Sequence, residues 1–204
     1  MANKPLGLMG VGALCALPAA GQAQITVPPF LETPIINEDF NTDSGTNVTT
    51  VGPFTAVSGN VDVLHGSRCV PGTAANGCIE LDGTAPATLE SGPIKLEGGY
   101  PFFLSFHLTG SQLDNHATAT EVSFGPFSHT YDLAANDLTS GLVSMVLSVP
   151  KDEITRLTFK SLTPGATGAI LDDVLVARVP EPATLGLMVL GLFGAGFSGR
   201  KRTH

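Results

Sequence analysis

The chain has 204 residues and a net charge of −8, and only 14% of its residues are charged. This acidic balance argues against a nucleic-acid-binding protein, which needs a basic face, and 43% apolar residues are too many for an intrinsically disordered chain. The mean hydropathy of +0.25 is high for a soluble domain. The apolar excess lies at the two ends of the chain, so the ends and the body are considered separately.

The first 23 residues have the pattern of an export signal. Lys4 is followed by an apolar run over residues 6–17 and then by small residues. Cleavage after Ala23 places Gly21 and Ala23 at the two small-residue positions that signal peptidase needs. A buried amphipathic helix is the alternative, but the segment has four glycines and no polar face. We therefore predict a signal peptide over residues 1–23.

Two cysteines remain in the body, residues 24–179, once the signal is removed. Cys69 and Cys78 enclose a short segment rich in turn-forming residues. In an exported chain two cysteines indicate one disulfide, whereas a two-cysteine metal site lacks further ligands nearby. We predict a Cys69–Cys78 disulfide that stabilises the fold by roughly 2–3 kcal/mol through loop closure.

The body is predicted to be an all-β, two-sheet antiparallel sandwich. Its apolar and polar residues alternate in short runs separated by Gly, Pro, Asn and Asp clusters, which is typical of strands in a sandwich or barrel. The runs lie at 61–64, 103–108, 117–124, 127–134, 143–149, 154–160 and 170–177. Six basic and 17 acidic residues give the body a net charge of −11, and such an exterior repels anionic polymers.

No catalytic motif is found in the body, and we predict no enzymatic activity. The chain has no nucleophile elbow, zinc-protease helix or P-loop, and its histidines are dispersed without ligand-like spacing. A polysaccharide-acting enzyme stays the less favoured alternative, because sequence alone cannot reveal two facing glycosidase carboxylates.

Aromatic residues bear on whether the body could bind sugar. The chain has no Trp and two Tyr, and sugar rings usually stack on exposed aromatic rings. Phe102 and Phe103 form the one adjacent pair, so a regular strand turns one of them outward. Burial of both rings, one on each face of a two-layer sandwich, is the favoured interpretation.

The last 25 residues contain three features in a fixed order. These are a proline–glutamate–proline motif, an apolar stretch and a basic cluster: Pro180-Glu181-Pro182, 183–199 and Arg200-Lys201-Arg202. The apolar stretch reaches about 25 Å as a helix, near the lower limit for a membrane span, and it shows no polar face for docking onto the body. The positive-inside rule keeps the basic cluster in the cytoplasm. We predict a transmembrane helix over 183–199 in a membrane-anchored precursor whose body is exported.

This ordered trio resembles the PEP-CTERM sorting signal of exported proteins from Gram-negative bacteria that make extracellular polysaccharide. The resemblance covers residues 180–204 and implies recognition by an exosortase, a membrane-embedded cysteine protease or transpeptidase. That enzyme would cleave near the motif and release or re-attach the body, at the cell surface or in the extracellular matrix. The two prolines favour an extended segment, which suits a protease substrate.

The body resembles the jelly-roll, galactose-binding-like domains found on many such exported proteins. The matching segments are 37–40, 59–64, 78–84, 100–112 and 170–176. Domains of this kind often carry one structural calcium between the first and the closing strand. The resemblance therefore implies Glu38, Asp39 and Asp172 as ligands, unless one carboxylate of the Asp172-Asp173 pair simply faces solvent.

Two functions stay open for the body. The first is a surface or matrix protein that associates with extracellular polysaccharide or biofilm through a non-catalytic module. The second is a structural or adhesive module that binds protein rather than sugar.

Overall fold

The structure is a computed structural model that describes residues 27–28, 31–69, 76–111, 113, 115–137 and 141–180. Fourteen strands occur in these residues: β1 (Ile36–Glu38), β2 (Thr50–Val51), β3 (Phe54–Ser58), β4 (Asp62–His65), β5 (Gly77–Glu80), β6 (Thr88–Ser91), β7 (Ile94–Leu96), β8 (Pro101–Thr109), β9 (Thr118–Phe124), β10 (Phe127–Leu133), β11 (Leu142–Ser148), β12 (Glu153–Thr155), β13 (Thr158–Ser161) and β14 (Ile170–Arg178). One 3-10 turn, Gly66–Arg68, accompanies them. Within the same residues no helix is long and apolar enough to cross a membrane.

The strands form two large antiparallel sheets, which confirms the predicted all-β sandwich. Sheet 1 has the order β11-β8-β14-β5-β4, and β1 pairs with the second half of β14. Sheet 2 has the order β10-β9-β13-β6-β3-β2, and β12 pairs with β7 in a small separate ribbon. The central position of β14, the last strand, places the end of the fold inside sheet 1.

The core lies between the two sheets and is built by alternation along the strands. Every second residue of β8, from Phe102 to Leu108, points inward and is buried, as a period of two requires. Phe106 packs edge-on against Phe159 of β13, with ring centroids 5.3 Å apart. Such aromatic pairs add to the free energy of burial, so β8 and β13 tie the two sheets together.

A second, smaller apolar cluster covers part of the outer face of sheet 1. Cys69 and Cys78 form the predicted disulfide, with Cα atoms 5.5 Å apart. Their buried sulfurs pack with Leu64 and Ile170, which point away from the main core on β4 and β14. The outer face is therefore covered at this end, whereas the outward side chains of β11 stay exposed and those of β8 are partly exposed or buried.

One predicted run is divided in the structure. The alternation over 154–160 suggested a single strand, but β12 joins the small ribbon and β13 joins sheet 2. Leu157 is fully buried between them, and its N–H donates to Ser91 Oγ at 2.9 Å. The carbonyl oxygen of Leu157 accepts the N–H of Ser91 at 2.9 Å, so the chain changes sheets beside the end of β6.

The two predicted end segments fall on residues that the structure does not describe. The signal peptide over 1–23 lies outside the described residues, as do the helix over 183–199 and the basic cluster that follows it. Both stay predictions from the sequence.

Candidate functional site

The end of β14 is the point where the fold meets the carboxyl-terminal motif. Val179 donates its N–H to the carbonyl oxygen of Pro101 at 3.0 Å, and the carbonyl oxygen of Arg178 accepts the N–H of Glu32 at 3.1 Å. Pro180 is exposed. The other motif residues, Glu181, Pro182 and Arg200-Lys201-Arg202, lie outside the described residues. The motif therefore follows the sheet without an intervening linker.

The outer face of sheet 1 contains the outward-facing phenylalanine that strand alternation predicts. Phe102 is fully buried, whereas Phe103 is partly exposed on the outer face. Val146 of β11 lies opposite Phe103 and is 61% exposed. We call the outward residues of β8 and β11 that reach solvent the Phe103 face; its members are Phe103, His107, Leu142, Ser144 and Val146, and Ser105 between Phe103 and His107 is buried. The face combines an aromatic ring with apolar and hydroxyl groups.

A histidine–aspartate pair lies at one end of the Phe103 face. His107 Nδ1 is 3.1 Å from Asp173 Oδ2, and both side chains are partly exposed. The register of β14 against β8 shifts between Asp172 and Leu175, and Asp173 has a φ of 51°. This bulge turns the Asp173 carboxylate toward the neighbouring strand, since a bulge re-aims side chains. Sequence reasoning missed the pair, because its members are 66 residues apart.

A groove lies at the end of the sandwich where the β8–β9, β10–β11 and β13–β14 loops meet. It consists of two adjoining pockets of about 400 and 500 Å³. Its lining is mainly apolar, with three threonines, one carboxylate and one histidine: His116, Ala117, Thr118, Ala119, Asp132, Leu133, Ala134, Leu162, Thr163, Pro164, Gly165, Ala166 and Thr167. Within the described residues, Thr118 Oγ1 is buried without a hydrogen-bond partner. This hydroxyl is not accessible from the groove, and Thr163 Oγ1 already accepts the N–H of Ala119 at 2.8 Å.

Among the three carboxylates implied as calcium ligands, Asp39 acts electrostatically on both Glu38 and Asp172. Burial, followed by the charges of Asp173 and Asp39, raises the pKa of Asp172 to about 8. Burial, together with Asp43 and Asp39, also raises the pKa of Glu38.

Hydrogen bonds already engage the Asp172 carboxylate on both oxygens. Asp172 Oδ2 accepts from Asn76 Nδ2 at 3.0 Å and Oδ1 accepts from Asp173 N at 2.7 Å. The described residues contain no group of three His, Cys, Asp or Glu side chains that could hold a metal. The calcium site stays a prediction from the resemblance.

The remaining histidines are placed apart from one another. His65 Nε2 is 3.1 Å from the carbonyl oxygen of Asp43, His129 packs edge-on against Tyr131, and His116 lines the groove. In the part of the chain that the structure describes, they build no shared metal site.

Comparison with protein families identifies the carboxyl-terminal segment. Residues 178–202 match the PEP-CTERM protein-sorting motif. The chain carries a PEP-CTERM sorting signal. Such a signal implies export and exosortase-mediated sorting to the cell surface, and its match begins at Arg178, inside the last strand. A search of the curated proteins found no match.

Solved structures similar to the chain include carbohydrate-binding modules. One is the CBM22-1–GH10 modules of a Clostridium thermocellum endo-1,4-β-D-xylanase complexed with xylohexaose, with 14% identity, a TM-score of 0.45 and coverage of 73% of this chain and 29% of that one. The chain thus spans less than one third of that xylanase. Another is the CBM22-1 xylan-binding domain of Paenibacillus barcinonensis, with 13% identity, a TM-score of 0.42 and coverage of 74% and 97%.

Proposed function

We propose that the protein is exported and processed by an exosortase near Pro180-Glu181-Pro182, and that its body then associates with extracellular polysaccharide as a non-catalytic module. The observation that supports processing is the direct continuation of β14 into the matched motif. The motif therefore leaves from a fixed point of a folded body, and Pro180, its first residue, is exposed. Before processing, the apolar stretch over 183–199 would hold the precursor in the inner membrane.

Processing is tested with two changes in the sorting segment. Glu181→Ala and deletion of 200–204 are each made in the full chain in an exosortase-producing host. We expect the unprocessed precursor to accumulate on an immunoblot, since each change removes one element of the ordered trio. Glu121→Ala, which changes a surface carboxylate on β9, serves as the matched control and should be processed normally. Normal processing of both sorting variants would contradict the proposal.

Association with polysaccharide is supported by the Phe103 face. An exposed aromatic ring can cover the apolar face of a sugar, and nearby hydroxyl, imidazole and carboxylate groups can bind its hydroxyls. Phe103 and His107 are four residues apart on β8, which is about 13 Å along a strand. The face therefore has room for more than one sugar ring, with the His107–Asp173 pair at one end.

Glycan-array binding of the processed protein tests this surface against the groove. We expect Phe103→Ala to weaken binding at least about 10-fold, which corresponds to the ~1.4 kcal/mol within reach of one stacked ring. Thr158→Ala, on the outer face of sheet 2, is the control and should bind as the wild type does. Loss of binding in Asp132→Ala, which changes the exposed carboxylate of the groove, with Phe103→Ala unaffected would move the site to the groove. Absence of binding to any glycan would refute the polysaccharide proposal.

A protein-binding role is the second candidate, and it is supported by β11. This strand is an edge of sheet 1, and Leu142 and Val146 on it are 65% and 61% exposed. Exposed apolar edge strands readily pair with another chain. A Val146→Lys variant that lost adhesion to a protein-coated surface but kept glycan binding would favour this candidate. Turnover of a polysaccharide by the purified protein would instead favour the enzymatic alternative.

A further inference from the structure

The sorting signal and the fold overlap by two residues. The motif match begins at Arg178, the last residue of β14, and Val179 still donates a hydrogen bond to Pro101. Pro180 has no N–H group and cannot extend the ladder. The hydrogen-bonded body therefore ends at Val179, directly before the proline–glutamate–proline motif.

The side chain of Arg178 joins the end of β14 to two other segments. Its guanidinium forms ion pairs with Glu97 and, at 4.0 Å, with Glu32. It also lies over two aromatic rings, 5.3 Å from the Tyr100 centroid and 5.9 Å from the Phe102 centroid. We call these five residues the Arg178 cluster. Partly buried cation–π contacts are stronger than exposed ion pairs, so the cluster fixes the strand end better than a surface charge pair would.

The backbone of this strand end is held from both sides. Arg178 is in register with Phe102 of β8 on one side, and its carbonyl oxygen accepts the N–H of Glu32 on the other. The end of a strand often frays. Here the hydrogen bonds to both β8 and Glu32 must break before Arg178 is free.

We propose that the Arg178 cluster sets the limit of carboxyl-terminal processing, so that no cleavage falls before Pro180 and the processed body keeps all of β14. This inference rests on the exosortase processing proposed above. A protease needs an extended segment on both sides of the bond that it cuts, and the residues up to Val179 are already engaged in the sheet.

Processing breaks one peptide bond, either by hydrolysis or by transpeptidation. Water adds across one peptide bond, which gives a carboxylate at the new carboxyl terminus of the body and an amine on the released tail. In transpeptidation an amine of the acceptor takes the place of water, and the tail still leaves as an amine.

Intact-mass measurement of the processed protein tests the limit. The full chain and its Arg178→Ala variant are produced in an exosortase-producing host and in the same host without exosortase. We expect the wild type to end at Pro180 or later, and Arg178→Ala to give in addition products that end before Pro180, at least about fivefold enriched. Arg178→Lys, which keeps the charge but loses the planar group, should lie between them. Lys160→Ala, an exposed change on β13, is the matched control and should give wild-type termini.

Two results would overturn the inference: a folded wild-type product that ends before Pro180, or exosortase-dependent shortening to identical termini in the wild type and Arg178→Ala. If neither protein is shortened, or if both are shortened equally without exosortase, the proposed processing itself has failed. In that case amide hydrogen exchange tests, independently of processing, whether the Arg178 cluster holds the end of β14 in place. We expect Arg178→Ala to accelerate exchange of the Val179 and Glu32 amides about 10-fold, and unchanged exchange at both amides would refute the role of the cluster.

Discussion

Reduction of the disulfide is the perturbation whose effect follows most directly from the structure. Cys69 and Cys78 are nine residues apart in sequence. Closing a loop of this length lowers the entropy of the unfolded chain, and this raises the free energy of unfolding by about 2.7 kcal/mol. For a body of this size, each kcal/mol moves the melting temperature by about 2–4 °C. We therefore expect the reduced protein to melt about 5–10 °C below the oxidised protein.

The assay uses reduced wild type rather than a cysteine substitution. Both sulfurs are fully buried against Leu64 and Ile170, so replacing them with alanine would add the cost of a cavity to the loss of the cross-link. The processed protein is unfolded in a reductant, refolded with the reductant present, and compared with the oxidised form by calorimetry.

A Cys69→Ala/Cys78→Ala variant is the control for this experiment. Reductant should leave its melting temperature unchanged, and its value should lie below that of reduced wild type because of the cavity. A reduced wild type that melts within about 1 °C of the oxidised form would refute the loop-closure argument.

Two further predictions concern carboxylates. Burial raises the pKa of Asp82 above its ordinary 3.8, against the opposing hydrogen bond from Ser161. The folded state then holds this proton more tightly than the unfolded state, so the contribution of Asp82 to stability is greatest below pH 3.8 and falls as the pH rises through the folded pKa. In urea denaturation, Asp82→Asn should therefore raise the free energy of unfolding more at pH 7 than at pH 4. A wild type and a variant whose free energies of unfolding change in parallel with pH would contradict this. The calcium prediction is tested by measuring the melting temperature of the processed protein with calcium and with a chelator. Calcium at 100 times its dissociation constant should add about 2.7 kcal/mol to the free energy of unfolding, and Asp172→Asn should abolish the resulting rise in melting temperature. A wild-type melting temperature that calcium does not change would refute the site.

The sequence predicts those features that depend on local pattern. Alternation along β8 predicts that Phe102 and Phe103 lie on opposite faces, because side chains on a strand alternate between its faces. The favoured interpretation, burial of both rings, holds for Phe102 but not for Phe103, which is partly exposed. The Cys69–Cys78 disulfide is predictable because the two residues are close in sequence and lie in an exported chain. The sorting signal is likewise a contiguous pattern.

Features that depend on how the strands are ordered are not visible in the sequence. The Arg178 cluster brings together residues from the amino-terminal arm, the β7–β8 turn and β14, and no spacing rule links Glu32 or Glu97 to Arg178. The His107–Asp173 pair needs both the β8–β14 neighbourhood and the bulge after Asp172. Binary pattern also does not reveal that the run over 154–160 changes sheets at Leu157.

We propose that an exosortase processes the sorting signal that follows the folded β-sandwich. The most direct test is the intact mass of the wild-type protein isolated from an exosortase-producing host and from the same host lacking that enzyme. We expect the first protein to have lost the apolar stretch over 183–199 together with the basic cluster, and the second to retain both. Equal masses in the two hosts would contradict the account.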